Sequence, residues 1–386
     1  MKRIPFFTLT IFAMILSLGS TVYAKKHSKT KDDAFWENYI FFHIIGNNEV
    51  EAVGIDTDYA EAKGYYDSDF SLKRSKKTTF NYPSTINHEG KKYKLTRLSE
   101  YRSSDYFEKH DIKIIPAKGQ SFNVKSSPLD GRLYEENGLP LNYLNAVTRI
   151  TIPDTMEYIG TGSLAHCYSL EEVDFAKKYD YLTFGDYVFV SNKIKSIKIP
   201  EGTYKLGTMA LGTIPDISLP KSLKKIGDYV VNAYTNKISI APNNPRFKIT
   251  DGILYSKDES VLYSASANVS KNIVISSKVR EIRPCAFTKA NIKTVTFKNK
   301  FISRIPSGTF ADCKKLTEVK GLKEIKQIDY AAFAGCSKLK NIGNPKVLYG
   351  VSEAAFWDTK KPAIKLYGKA KMNKYAFEKP ELGPEE

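Results

Sequence analysis

The sequence predicts a repeat solenoid that is mainly β, with short 3₁₀ or irregular turns between its strands. Phe287, Phe310, Phe333 and Phe356 follow one another at intervals of 23 residues, in the pieces IRPCAF, IPSGTF, IDYAAF and VSEAAF. Each is preceded five places earlier by Ile282, Ile305, Ile328 or Val351, and directly by Ala286, Thr309, Ala332 or Ala355. Self-similarity at such a period marks stacked supersecondary units, none of which buries its apolar face alone. A second row of β-branched residues has nearly the same spacing: Ile150, Val173, Ile197, Ile217, Ile238, Ile273, Val295, Val319, Ile342 and Ile364. Each lies at the centre of a short alternating stretch such as VTRITIP, IKSIKIP or IKTVTF, with one side to bury and one to show to solvent.

Residues 1–24 read as a signal peptide. Lys2 and Arg3 precede an apolar run from Phe6 to Leu18, followed by Gly19-Ser20 and the small-residue site Val22-Tyr23-Ala24. The run is short for a bilayer span, and no cysteine lies near Ala24 to carry a lipid. Residues 25–37, which include KKHSKTK, read as a flexible basic tail.

Residues 38–145 read as an N-terminal β cap with degenerate repeats. Ile44-Ile45 and Val50…Val53 flank Asn47-Asn48 as two strands around a turn. Glu89-Gly90 in HEGKKYKLTRL marks a second hairpin, and residues 100–145 carry no clear period. The repeats proper run over residues 146–368, followed by a C-terminal cap and tail at 369–386. Several strands end in proline, at Pro153, Pro200 and Pro220, which turns the chain. Between strands the Ile-Gly…Ala-Phe pieces hold few helix formers, so a 3₁₀ or irregular turn is expected there. The single 35-residue interval, from Ile238 to Ile273, contains an insert at 244–271. Its turn signals Asp251-Gly252 and Lys257-Asp258-Glu259-Ser260 predict a β-hairpin projecting from the solenoid.

The formal charge is +17, or +15 once Lys2 and Arg3 are removed. The lysines are scattered through every repeat, which suits solubility or attraction to acidic surfaces better than a nucleic-acid footprint. Cys313 and Cys336 each lie three residues after a repeat phenylalanine, and Cys167 three after Leu164. A recurring position argues for small buried side chains. Adjacent coils would bring Cys313 and Cys336 to about 5 Å, so a disulfide is also geometrically possible.

Little in the sequence points to catalysis or a cofactor. His27, His43, His88, His110 and His166 are dispersed without metal-ligand spacing. Asp56-Thr57-Asp58 begins like a calcium loop, but Ala60 and Glu61 break the pattern. Cys167 beside His166 is a thiol in the repeat phase, hence a packing residue.

The text Ile328-x-x-x-Ala332-Phe333-x-x-Cys336-x-x-Leu339-x-x-Ile342 resembles the BspA-like leucine-rich repeat, a bacterial surface type whose coil is right-handed. The stretch NPRF…DGILY…D…VLY looks like that family's hairpin insert, and HEGKKYKLTRL like the strand leading into its first repeat. The likeness is specific from Val147 to Tyr367, although Leu164, Leu211 and Val231 replace the phenylalanine. The resemblance implies export to the cell surface and binding of host or bacterial macromolecules rather than catalysis.

A binding surface would then lie on the outward strand positions. The candidates are Arg149, Thr151, Asp174, Lys198, Ser218, Lys237, Ser239, Thr296 and Lys320, with Tyr255 and Tyr263 available for stacking. The expected partner is an extracellular protein or glycan, with no nucleic acid, cofactor or metal. Two other readings stand beside it. Residues 25–145 could form a small hydrolase or carbohydrate-processing domain carried by the repeats, or the chain could be a structural envelope component.

Overall fold

The alternating stretches become a ladder of parallel strands stacked coil on coil in a computed structural model. It describes residues 33–55, 60, 62–65, 77–100, 113–115, 139–140, 144–298, 300–343, 345–360, 362 and 371–379. The chain divides into Met1–Lys31 and Asp32–Glu386, and all described residues belong to the second unit. The signal-peptide reading, the Asp56–Asp58 loop, Ile364 and nearly all of 100–145 therefore lie outside the described residues.

The predicted strand centres pair in register. Ile150 lies opposite Val173, Ile197 opposite Ile217 and then Ile238, and Ile273 opposite Val295 and then Val319. The ladder is broken into three sheets: Thr79–Asn81 with Arg149–Ile152 and Glu172–Phe175; Ser196–Lys198 to Lys237–Ile240; and Asn272–Ile275 to Glu318–Lys320. Ile342 follows the last of these, beside a single bridge from Glu318 to Asn341.

A second parallel ladder corrects the expectation of one strand per coil. The Ile-Gly pieces open as two-residue strands, among them Tyr158–Ile159, Arg304–Ile305, Gln327–Ile328 and Gly350–Val351. In the earlier coils this row widens into Lys178–Phe184 and Glu201–Leu206. The cap joins the same row, because Lys91–Leu98 pairs in parallel with both Tyr158–Ile159 and Glu49–Ile55. The Asn47-Asn48 and Glu89-Gly90 hairpins form as expected, with Asn48, Glu89 and Gly90 at positive φ. Residues 33–37, expected in the flexible tail at 25–37, instead form a strand: Asp33–Glu37 pairs antiparallel with Ile40–Gly46 through the turn Asn38-Tyr39.

Between the two ladders runs a stack of turns. Around Phe333 successive backbone amides alternate between two uses. Ala332, Ala334 and Cys336 donate to carbonyls three residues back in their own turn. Ala331, Phe333 and Gly335 donate to Glu353, Ala355 and Trp357 of the next coil, at 3.3, 2.8 and 2.8 Å. Ala331 and Gly335 take φ values of 51° and 71°, and their counterparts Ala354 and Asp358 take 51° and 53°. These left-handed residues redirect alternate amides along the stack and keep a helix from forming.

The phenylalanines form a column inside this stack. Phe287, Phe310, Phe333 and Phe356 are buried, with consecutive ring centroids 5.3 Å apart and planes tilted by 10–12°. Phe377, outside the predicted period, adds a rung at 5.6 Å. The cysteines pack here as reduced thiols. Cys313 Sγ donates to the Phe287 carbonyl and Cys336 Sγ to the Phe310 carbonyl, each at 3.0 Å.

The insert does not project as a hairpin. It is a three-stranded antiparallel meander, Phe247–Thr250, Ile253–Ser256 and Val261–Ala265, whose last strand pairs in parallel with Glu281–Ile282. Its side chains are shared by two hydrophobic cores. Phe247 and Leu254 close a first core that begins at Phe35; Ile253, Tyr255 and Leu262 open a second that ends at Ala376. With too much apolar surface to stand free, the insert becomes a wall between the cores.

Candidate functional site

The outward positions of the first ladder carry the expected polar row, but much of it is already partnered. Arg149 reaches Asp174 at 3.0 Å and also bonds Glu172. The Thr151 hydroxyl donates to Asn81 Oδ1 at 2.7 Å, Ser218 and Ser239 share a bond of 2.9 Å, and Lys320 pairs with Glu318 at 3.0 Å. Lys198 and Lys237 extend from the middle sheet with no ion-pair partner among the described residues. Thr296 lies opposite Lys320 in the third sheet. The nine strand residues are thus divided among the three sheets. Arg149, Thr151 and Asp174 fall on the first, Lys198, Ser218, Lys237 and Ser239 on the second, and Thr296 and Lys320 on the third.

The two tyrosines are placed differently from expectation. Tyr255 is 7 % exposed and belongs to the second core, so it offers no stacking face. Burial, with Glu259 and Asp251 nearby, pushes its phenol up to about 12. Tyr263 is half-buried against Phe247, with ring centroids 5.4 Å apart and nearly perpendicular planes.

Tyr263 does line a cleft of about 520 Å³ that lies between the second ladder and the meander. Tyr204, Phe247, Lys224, Lys225, Arg246, Lys257 and Asp258 complete its charged and aromatic lining. Lys224 and Lys225 hold their ammonium groups 5.8 and 5.6 Å from the Tyr204 ring. On the neighbouring coil Tyr181 lies 5.2 Å from Tyr204, with its plane tilted by 32° and half its surface exposed. Asp258 is the one carboxylate in the lining, and its own turn holds it. Its side chain accepts from Ser256 Oγ at 2.6 Å and from Ser260 Oγ and N at 2.8 and 3.1 Å, which lowers its pKa to about 2.

Sequence reasoning missed this cleft. A signal was present: Tyr158, Tyr181 and Tyr204 repeat at intervals of 23 residues, in the same period as the phenylalanines. Tyr158 is spent on structure, since Arg97 covers its ring at 4.6 Å and its hydroxyl bonds Glu100. Tyr181 and Tyr204 remain on the surface.

Among the described residues, several groups that could suggest catalysis are engaged in packing contacts. His43 bonds Glu51 at 3.1 Å, and His88 stacks on Phe35 with centroids 3.9 Å apart. Burial pushes the Cys167 thiol up to about 12, far from the thiolate that nucleophilic chemistry needs. Among the described residues no group of three or more His, Cys, Asp or Glu could hold a metal ion. Among them, no helix is long and apolar enough to cross a membrane.

A family model described as BspA type leucine rich repeat region, in six copies, matches residues 142–256 and 259–382. The pneumococcal vaccine antigen PcpA has a similar crystal structure, with a TM-score of 0.52 at 16% identity, over 89% of this chain and 83% of that one. A leucine-rich cell surface protein from Faecalibacterium prausnitzii A2-165 aligns at 15% identity over 84% of this chain and 96% of its own, with a TM-score of 0.42. A leucine-rich repeat protein from Eubacterium ventriosum ATCC 27560 aligns at 15% over 85% and 94%, with a TM-score of 0.43. Likeness at these identities is one of fold. No curated protein sequence matches the chain.

Proposed function

The chain belongs to the BspA-type leucine-rich repeat family, and from that premise we propose that it is an exported, non-enzymatic binding protein of the cell surface. It holds a protein or glycan on the outward side chains of its first ladder. The observation that carries this reading is the middle sheet, where Lys198 lies opposite Ser218 and Lys237 opposite Asp216, neither in an ion pair among the described residues, beside the bonded Ser218 and Ser239. A flat row of small polar groups lets a partner approach the strands closely, and free cations beside it supply steering and contact. The reading is also supported by the family, and by an N-terminus that has the pattern of an export signal. The phenylalanine column and the thiols face inward, which leaves recognition to the outer surface.

The test is a binding screen of the purified chain against extracellular-matrix proteins and glycans. It is repeated with Lys198→Glu, Lys237→Glu and Lys320→Glu combined. The expected result is a ligand whose affinity falls by about tenfold or more in the variant, as for removal of several contact cations. Uniform failure of the screen, or a ligand bound equally well by the variant, contradicts the reading.

A further inference from the structure

The cleft beside the meander holds a concentration of charge that neither the strand face nor the repeat motif explains. Lys224, Lys225, Arg246 and Lys257 line it, and none has a carboxylate partner among the described residues. The acids of the meander turn are held by other groups. Asp258 is bound by Ser256 and Ser260, while Glu259 on the same turn pairs with Lys248 and, at 3.6 Å, with Lys278. Like charges crowded at one concave site repel one another, and an anion bound there relieves the repulsion. The aromatic pair continues from the cleft onto the next coil, where Tyr181 presents a half-exposed ring beside Tyr204.

From this juxtaposition we infer that the cleft and the Tyr181–Tyr204 platform bind an anionic polysaccharide, one bearing sulfate or carboxylate groups. The sugar ring lies on the tyrosine face and its acidic groups lie among the four cations. Stacking on a flat aromatic face serves a pyranose, whose axial C–H groups meet the ring, and the cleft's hydroxyls serve its oxygens. An acidic peptide would use the cations but has no use for the platform. An unpaired nucleic acid strand binds by stacking successive bases on several aromatic faces along a groove. Here the two rings close against each other at 5.2 Å and leave only an outer face. The inference rests on the extracellular reading above for the availability of such a ligand. It differs from that reading in placing the site on the second ladder and the meander instead of the first.

The experiment measures binding of the purified chain to heparin and to hyaluronan, with neutral dextran, polyglutamate and oligo-dT as comparison probes. Two variants divide the site: Lys224→Glu with Lys225→Glu, and Tyr181→Ala with Tyr204→Ala. All four positions lie on the surface, and unchanged circular dichroism and melting temperature confirm that the fold is kept. The expected outcome is binding of at least one anionic polysaccharide and none of dextran. The charge variant should weaken it about tenfold or more and the tyrosine variant severalfold. The strand-face variant with Lys198, Lys237 and Lys320 changed to Glu should bind the polysaccharide as well as the native chain does. The inference is overturned by no binding of either polysaccharide, by equal binding by the charge variant, or by polyglutamate or oligo-dT binding as tightly as heparin. If the strand-face variant alone loses the polysaccharide, the site is wrong while the surface-binding reading survives.

Discussion

The coils after the meander and those before it solve one packing problem in different ways. After the meander the turn residues Phe287, Phe310, Phe333 and Phe356 are evenly spaced, and like stacks on like at a constant 5.3 Å. Before it the same place is held by Leu164, Phe189, Leu211 and Val231, at unequal intervals. No single column can form there, and the space is filled by side chains of different shape. Polar links shift likewise. Cys336 ties its coil to the carbonyl of Phe310, whereas Asn232 does this work by bonding the Gly212 carbonyl at 2.7 Å. The second ladder also changes, from two-residue strands to Lys178–Phe184 and Glu201–Leu206, with shifts of register between them. A constant period gives a uniform column. The coils before the meander carry longer strands, and on them lie the half-exposed Tyr181 and the half-buried Tyr204.

The sharpest way to break this contrast is at the column. Phe333→Ala removes a ring that touches its neighbours on both sides, and the expected loss of stability is about 3–5 kcal/mol, measured by urea unfolding. Phe333→Leu makes a later coil resemble an earlier one. It should cost far less than the alanine change, on the order of 1 kcal/mol, because leucine keeps most of the buried volume. Equal losses for the two variants would show that ring stacking, more than volume, holds the coil.

Glycines test what the two regions share. Gly202 before the meander and Gly321 after it both have positive φ, +90° and +79°. A Cβ at either would lie 1.8 Å from the Tyr179 carbonyl oxygen or 2.1 Å from that of Phe297, on the preceding coil. Alanine at each should cost about 1–3 kcal/mol, since the backbone must move and a left-handed conformation is strained. A loss at only one would mean that the coils are not equally close.

Much of this was legible in the sequence, and the reason is physical. β-branched centres such as Ile217 and Val295 alternate with polar residues because one side of the strand is buried, so the first ladder was readable residue by residue. The second ladder was not, because two residues such as Gln327-Ile328 are too few to show a period. The meander was misread as projecting, since turn chemistry at Asp251-Gly252 marks a hairpin without saying what its faces cover. Tyr255 follows from that error, being buried by a second core that only the stacked coils create. The cleft was hidden because Lys224, Arg246 and Lys257 converge only when the meander lies across the second ladder.

The smallest difference between the regions is expected at high pH. Burial raises the Cys167 thiol from its ordinary value of 9.0 to about 12, and the Tyr179 and Tyr255 phenols from 10.0 to about 12. The unfolded chain gives up these protons first, so their contribution is intact below pH 9 and is lost as the pH rises through about 12. Cys313 after the meander is raised in the same direction by burial. The melting temperature should therefore fall steadily above pH 9 in both regions, and a flat profile between pH 9 and 12 would contradict these burials.

The claim that two cores meet at the meander is tested most directly by hydrogen exchange on Phe333→Ala. Stacked repeats couple mainly to their neighbours. The amides of the coils from Ile282 to Phe377 should lose protection, while those from Arg149 to Ile240 keep the native rates. Equal loss of protection on both sides of the meander would contradict the claim and show one continuous core.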